Sequence, residues 1–513
     1  MPDILLATLN ARWHHCAFGL RYLFANLGEV AARAGLMEFV VREPVARIAA
    51  RILAARPRIV GLGVYIWNVR QTTELVALLK RADPAPTVVV GGPEVSHEVE
   101  EQAICRLADH VVTGEADLAF RDLCGRLLAG APGVPHVVHA PPPDLGALAL
   151  PYHLYDADDV ARRMVYVEAS RGCPFTCAFC LSALDVPVRR VDLARLLPEL
   201  ERLLARGVRH FKFVDRTFNL DLATSTAILD FFLARITQGL ILHFEMIPDR
   251  LPEALRRRIA AFPPGTLHLE VGVQSLDPAV NRRIARRQDE ERLAENLRWL
   301  HGQDSVHVHA DLIPGLPGET WEGFARGFDR LCALRPHEIQ VGILKRLRGT
   351  PLTRHDAACG MVWDPEPPYE VRATAALDSV ALARLRRFAR VHDLVANRGN
   401  FVHTTERLRG EPSPFAAFLA LAEYVHRAAG RSHGLALHEL YRLVHGWLVE
   451  ERGADPVAAA RLLALDYRRT GRCDPPRWLS ALAPAERCER GRLLAAAHAR
   501  RQARHRGVAA TPP

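Results

Sequence analysis

A chain of 513 residues, 49% hydrophobic and 24% charged, is long enough for two or three domains with their own cores. Its apolar runs are short and interrupted, which argues against a membrane span. The net charge of +9 invites a nucleic-acid reading, yet only Lys80, Lys212 and Lys345 among the 67 basic residues are lysines. That imbalance looks like coding bias rather than a phosphate-binding patch.

The sequence opens directly on the strand-like I-L-L-A-T-L, with no charged-then-apolar leader, so a cytoplasmic location is expected. Over the first 140 residues, strand and helix patterns alternate. Strands are expected at 4–9, 39–41, 59–65, 87–90 and 110–113, and helices at 18–34, 45–55, 69–81 and 117–128. Such alternation implies an α/β fold with a parallel, doubly wound, Rossmann-like (flavodoxin-like) sheet over residues 1–139.

Ligands on such sheets sit beyond the carboxyl ends of the strands. The polar or glycine-bearing strand ends are Asn10 and Gly19, then Tyr65, Trp67 and Asn68, then Gly91, Gly92, Pro93 and Glu94, and lastly Gly114 and Glu115. Glycine there lets backbone approach a large planar ligand or a phosphate, and equally it makes tight turns. Residues 140–160, with consecutive prolines, read as an extended linker.

The next stretch, V-Y-V-E-A-S-R-G-C-P-F-T-C-A-F-C, carries Cys173, Cys177 and Cys180 at C-x3-C-x2-C. Three close thiolates suit three irons of a [4Fe–4S] cluster, leaving the fourth iron open. A structural zinc site usually wants a fourth protein ligand, and three crowded cysteines do not all pair as disulfides. At these residues the chain resembles the radical S-adenosylmethionine (SAM) superfamily, in which the open iron chelates the amino and carboxylate groups of SAM.

From the cysteine loop to about residue 350, helix and strand alternate again. Expected strands at 165–168, 208–214, 242–246, 267–273, 306–313 and 339–344 make a partial (β/α)6 barrel over residues 161–362, with a long helix at 278–301. Polar residues crowd the strand ends: Asp215, Arg216, Glu245, Glu270, Gln274, Ser275, and the run from Asp311 to Glu319 with Ile313 and Gly315. The radical SAM resemblance makes Asp215 and Arg216 candidates for methionine's polar end and matches Glu245 to the third-strand polar residue. It makes Gln274 and Ser275 candidates for the ribose and the Ile313–Glu319 stretch one for the adenine, with Glu270 beside them.

The combination of V-G-L-G-V-Y-I-W-N, V-V-V-G-G-P-E-V-S and V-T-G-E-A-D ahead of that core resembles the cobalamin-binding domain of cobalamin-dependent radical SAM enzymes. No D-x-H-x-x-G is present, and His14 and His15 stand at the wrong spacing from Gly19, so cobalamin would have no histidine beneath it. The resemblance implies three cofactors: a [4Fe–4S] cluster, SAM and cobalamin. It also implies an external electron donor such as flavodoxin or ferredoxin, and most often methylation of an unactivated carbon on a small molecule. Rearrangement, a methylthiotransferase-like RNA-modifying enzyme and a non-enzymatic sensor are the alternatives; nucleic acid and membrane are not expected partners.

Residues 363–495 read as an all-α region, with helices at 371–396, 413–429, 435–449 and 456–467, and 496–513 as a basic disordered tail. Cys473 and Cys488 form no tight set, so no second cluster is expected. A substrate-shaping cap is one reading of this region, removable without loss of cluster or SAM binding.

Overall fold

The computed structural model describes residues 1–483 apart from 186, 471 and 473; Cys473, Cys488 and the 496–513 tail lie outside the described residues. Six strands build the first sheet: β1 (Ile4–Asn10), β2 (Ala34–Val40), β3 (Ile59–Gly63), β4 (Thr87–Gly91), β5 (His110–Gly114) and β6 (Val137–Ala140). All pair in parallel, in the order β2-β1-β3-β4-β5-β6. Strands β1 and β3 are buried along their whole length, because helices cover both faces and leave no side for polar residues.

The helix expected over 18–34 ends at Ala25. Gly28, at φ +59, stops it, and a 3-10 turn at Gly28–Arg33 follows. Gly35, read as the stop, lies inside β2 opposite Leu5, so that strand begins five residues earlier than expected. Strand β6 had no sequence signal strong enough to be assigned.

The 140–160 stretch is not extended. It holds 3-10 turns at Leu145–Ala147 and Tyr152–Leu154 and runs into a helix at Ala157–Arg162, capped by Asp156 and Asp159. Leu145, Leu148, Tyr152 and Tyr155 are buried in the core of the second sheet, so the prolines shape a packed strap rather than a free tether.

That second sheet starts at β7 (Val165–Val167). A short antiparallel ribbon, β8 (Ser170–Arg171) with β9 (Arg189–Arg190), brackets the cysteine loop. Then come β10 (His210–Phe213), β11 (Ile241–Met246), β12 (Leu267–Gln274), β13 (Val306–Leu312) and β14 (Glu338–Val341). The order β14-β13-β12-β11-β10-β7 is parallel throughout, a half-open barrel with two unpaired edges.

An unpaired edge presents bare N–H and C=O groups, and both edges are closed here by side chains. On β7, the Tyr155 hydroxyl accepts from Tyr166 N (3.1 Å) and donates to Tyr166 O (2.7 Å). Tyr152 does the same for Glu168, at 3.2 and 3.4 Å. On β14, the Asn397 amide accepts from Ile339 N (3.1 Å) and donates to Ile339 O (2.8 Å).

The expected helix at 278–301 is two helices, Pro278–Arg283 and Glu290–His301. The break passes through Ala285 at φ +56, and Asp289 caps the second helix. The expected helix at 371–396 opens instead as strand β16 (Val371–Ala373), paired with β15 (Val362–Trp363), before the helix Ser379–His392 and a π-turn at Asp393–Asn397. Helices Val402–Arg409, Pro414–Ala429, Leu437–Glu450, Pro456–Arg469 and Arg477–Leu482 follow. Phe328 of the barrel packs on Phe388, Phe415 and Phe418, so one hydrophobic core runs from the strap through the barrel into these helices. The reading of a removable cap therefore fails, since removal would strip β14 of Asn397 and expose that core.

Among the described residues, no helix is long and apolar enough to cross a membrane.

Candidate functional site

The cysteine loop leaves the β8–β9 ribbon through Gly172, at φ +91. A Cβ there would lie 2.7 Å from Asp185 O, so only glycine makes this turn. Cys173 N donates to Asp185 O (2.9 Å), and Ala178 N to Ile284 O (2.9 Å), fixing the loop at both ends. Beneath it Asp215 accepts from Ala169 N (3.0 Å) and Ser170 Oγ (2.6 Å); burial pushes its carboxyl up to about 7.

Cys173, Cys177 and Cys180 all face one cavity of about 250 Å³, whose opposite wall is Arg216, Glu245, Glu270, Gln274 and Asp311. Among the described residues no three His, Cys, Asp or Glu side chains converge as a single metal ion would need. A four-iron cluster makes no such demand, because each thiolate goes to a different iron.

The cavity opens onto an unusual barrel lumen. On β10 to β14 the outward residues, such as Phe211, Phe213, Leu242, Phe244, Leu269 and Val308, are fully buried against helices. The alternate positions are polar: Lys212 sits opposite His243, Glu245 opposite Glu270, and Glu270 opposite His309, which in turn faces Glu338. TIM-type barrels fill this space with branched aliphatic layers. Here Lys212, His243, Glu245, Glu270, His309 and Asp311 each keep 15–25% of their side-chain surface exposed, so the lumen is a polar well.

Its charges are arranged in pairs. Glu270 Oε2 meets His243 Nε2 at 3.0 Å and Lys212 Nζ at 3.4 Å. Burial pushes Glu270 up, but the His243 hydrogen bond and the Lys212 charge outweigh it and leave the carboxyl well below its usual range. Burial alone would lower His309; its Asp311 partner at 3.2 Å, with Glu338 near, raises it to about 9. Arg216 reaches both oxygens of Glu245 at 3.1 Å. Gln274 closes the wall from a β-bulge at φ +69, a strained conformation for a non-glycine residue, of the kind found at functional sites.

Of the residues expected to meet SAM, Arg216, Glu245, Glu270 and Gln274 line this cavity, and the rest stand behind it. Asp215 is committed to the cysteine loop. Ser275 donates to Glu319 Oε1 (3.1 Å) and Gly315 N to Glu319 Oε2 (3.2 Å), a buried bracket under the fifth strand's end; Ile313 N holds Gln274 O at 2.9 Å. Sequence reasoning missed Lys212, His243, His309, Gly272 and Arg286. The first three were legible as the polar half of a strict alternation. Arg286, near Cys177 Sγ at 3.9 Å, depends on the unforeseen helix break.

A second cavity, also about 250 Å³, opens in the first sheet's domain. Its floor is apolar (Leu6, Val89, Val112, Phe120), and glycines keep it open: Gly19, Gly61, Gly63, Gly91, Gly92 and Gly114. A Cβ on Gly61 would meet the Phe120 ring at 2.8 Å, and one on Gly92, at φ +117, would meet Val64 O at 2.5 Å. Tyr22, Asp117, Glu168 and Arg171 close one end.

Of the residues expected at cobalamin, Gly19, Tyr65, Gly91, Gly92 and Gly114 line this slot. The others shape its surroundings. Asn10 binds Glu38 (2.6 Å), and Asn68 ties Tyr65 N to Leu9 O and Gly63 O. Trp67 stacks on Tyr65 at 4.4 Å, and Pro93 lies outside the slot. Glu94 is taken by Tyr369 (2.8 Å) and Arg348 (3.2 Å), and Glu115 by Arg171 and Arg189. Gly61, Gly63 and Phe120 were missed; glycines inside a buried strand were their signal. His15 points to the barrel, its Nδ1 at 2.6 Å from the Tyr166 hydroxyl.

Comparison with known proteins agrees with this division. Residues 2–124 match the B12 binding domain, 167–331 the radical SAM superfamily, and 357–503 a protein family of unknown function (DUF4080). The chain is 29% identical over 324 residues to the 2-(S-pantetheinyl)-carbapenam-3-carboxylate methyltransferase of Streptantibioticus cattleyicolor. It is 26% identical over 332 residues to the cobalamin-dependent radical SAM methyltransferase TokK of Streptomyces tokunonensis. In both cases 56% of this chain aligns with 47% of the relative, so it spans about half the length of each. The cobalamin-dependent SAM radical enzyme OxsB, solved with aqua-cobalamin and SAM, shares the fold with a TM-score of 0.64 at 14% identity, over 94% of this chain and 83% of that one. With its three-cysteine loop on a half-open barrel and a glycine slot in the domain ahead of it, the chain carries a radical SAM domain over residues 167–331 and a B12-binding domain over residues 2–124.

Proposed function

We propose that this chain is a cobalamin-dependent radical SAM enzyme that methylates an unactivated carbon of a small molecule. The observation that carries the reading is the pairing of two cavities of matching chemistry: three sulfurs facing a charged well, and a glycine-walled slot beside it. The donor set fits the groups. Cys173, Cys177 and Cys180 would hold a [4Fe–4S] cluster, and the slot, lined by Gly19, Gly61, Gly63, Gly91, Gly92 and Gly114 over an apolar floor, would take part of the cobalamin.

When bound, the cluster supplies the electron that cleaves SAM, and cobalamin carries the methyl group. The chain's own residues position and shield. Arg216, Glu245, Glu270 and Gln274 face the place where SAM's charged and hydroxyl groups would lie, with the Ser275–Gly315–Glu319 bracket and Ile313 holding the wall behind. The Arg216–Glu245 pair, in which one guanidinium nitrogen serves both carboxylate oxygens, can offer either a guanidinium or a carboxylate edge. Phe175 and Phe179 cover the loop and limit water at the sulfurs.

An external one-electron donor of flavodoxin or ferredoxin type and a cytoplasmic setting suit an oxygen-sensitive cluster. The nearness of TokK and the carbapenam methyltransferase supports methyl transfer over rearrangement. The remaining described cysteines, Cys16, Cys105, Cys124, Cys332 and Cys359, are scattered and buried, so among the described residues no second three-cysteine set supports the methylthiotransferase-like reading. Anaerobic reconstitution with iron, sulfide and hydroxocobalamin tests the reading. About four irons and one cobalamin per chain are expected; a chain that takes up iron but no cobalamin would refute it.

A further inference from the structure

The two cavities are lined by neighbouring residues of one segment. Arg171 lies two residues before Cys173 and lines the slot of the first domain. Its guanidinium binds Glu168 (3.1 Å) on its own strand's approach, then crosses to Glu115 (2.7 Å) and Asp117 (2.9 Å) after β5, and covers the Tyr22 ring at 4.6 Å. Arg189, on the partner strand of the ribbon, clasps Glu115 and also Asp185 (3.0 Å). Asp185 O is the acceptor that holds Cys173 N. A chain of contacts therefore links the slot's Gly114–Asp117 wall, through the ion pairs of Arg171 and Arg189 and then the backbone of Asp185, to the first cysteine. At its slot end backbone passes close by: a Cβ on Gly114, at φ +80, would lie 2.3 Å from Ala140 O.

We propose that Arg171 and Arg189 are positioning residues that couple the two cofactor sites. A ligand filling the slot fixes the Gly114–Asp117 wall, the arginines carry that constraint to Asp185, and the cysteine loop is held closed. Coupling between sites is reciprocal, so a loaded cysteine loop tightens the slot equally. The inference rests on the reading that both a cluster and cobalamin bind this chain.

The test uses the full reconstituted chain and follows loss of the cluster's absorbance and EPR signal to an iron chelator, with and without hydroxocobalamin. Cobalamin should slow cluster loss by roughly five-fold or more in the wild type. Retention of cobalamin on a desalting column should rise correspondingly when the cluster is present. Arg189→Met, which touches neither cavity, should leave uptake of both cofactors intact and remove most of the mutual protection; Arg189→Lys should restore part of it, lacking the two-pronged contact. Arg171→Met should abolish the protection altogether. Equal protection in wild type and Arg189→Met overturns the coupling, as does a wild type that binds both cofactors with no mutual effect. A wild type that binds neither overturns the functional reading with it.

Discussion

The two six-stranded sheets of this chain share one plan, parallel strands joined by helices, and differ in what their strands face. In the first sheet both faces meet helices, so β1 and β3 are buried throughout, and room for a ligand is made by removing side chains, with Gly61, Gly63 and Gly91 at the slot. In the second, one face meets helices and the other a lumen, so Phe and Leu alternate with His, Lys, Glu and Asp. There the site is made by adding charge. The difference shows how one architecture yields a slot for a bulky, largely apolar group and a well for an ionic one.

The sharpest break in that contrast is Cys177→Ala. It should drop reconstituted iron from about four per chain to near zero while the glycine slot still takes up hydroxocobalamin, measured by iron assay and absorbance. The converse is Gly61→Val, which drives carbon into the Phe120 ring. It should cost about 1–3 kcal/mol in denaturant unfolding and close the slot to cobalamin while the iron count is kept. Loss of both cofactors from either variant would say the sites are not separately built.

A smaller pair of changes sharpens the comparison. Val60→Thr buries a hydroxyl in the fully covered sheet and should destabilise by about 1–3 kcal/mol. Lys212→Met makes the lumen more apolar, yet should also destabilise, by about 1 kcal/mol, since Glu270 loses a cation in a partly wetted well. A stabilised Lys212→Met would contradict the polar-lumen account.

A further expected effect is on pH dependence. Burial raises Glu319 from 4.5 to about 8, so the folded chain holds a proton that the unfolded chain releases. Its contribution to stability is fully present below 4.5 and is lost as pH climbs through about 8. Glu319→Gln should flatten the fall of Tm across that window, and an unchanged slope would remove Glu319 as its source.

Much of the architecture could be read from residues alone, because each part had a local cause. The cysteine loop announces itself by spacing, and both βα series by period. What escaped needed knowledge of distant partners. Tyr152 and Tyr155 looked like linker residues until β7 was seen to need its bare edge covered, and Asn397 lay just past an expected helix until β14 was seen to need the same. Asp215 and Glu319 sit at strand ends, as ligand-binding residues do, but backbone donors claim them. The lumen histidines were visible in V-H-V-H-A-D and L-H-L-E, and were passed over because an inward barrel face is ordinarily apolar.

The most direct test of the central claim is SAM turnover by the anaerobically reconstituted chain under a strong one-electron reductant, with Cys177→Ala alongside. The account predicts 5′-deoxyadenosine from the wild type and none from the variant. A wild type that holds its iron and forms no 5′-deoxyadenosine, or a variant that forms as much, would contradict it.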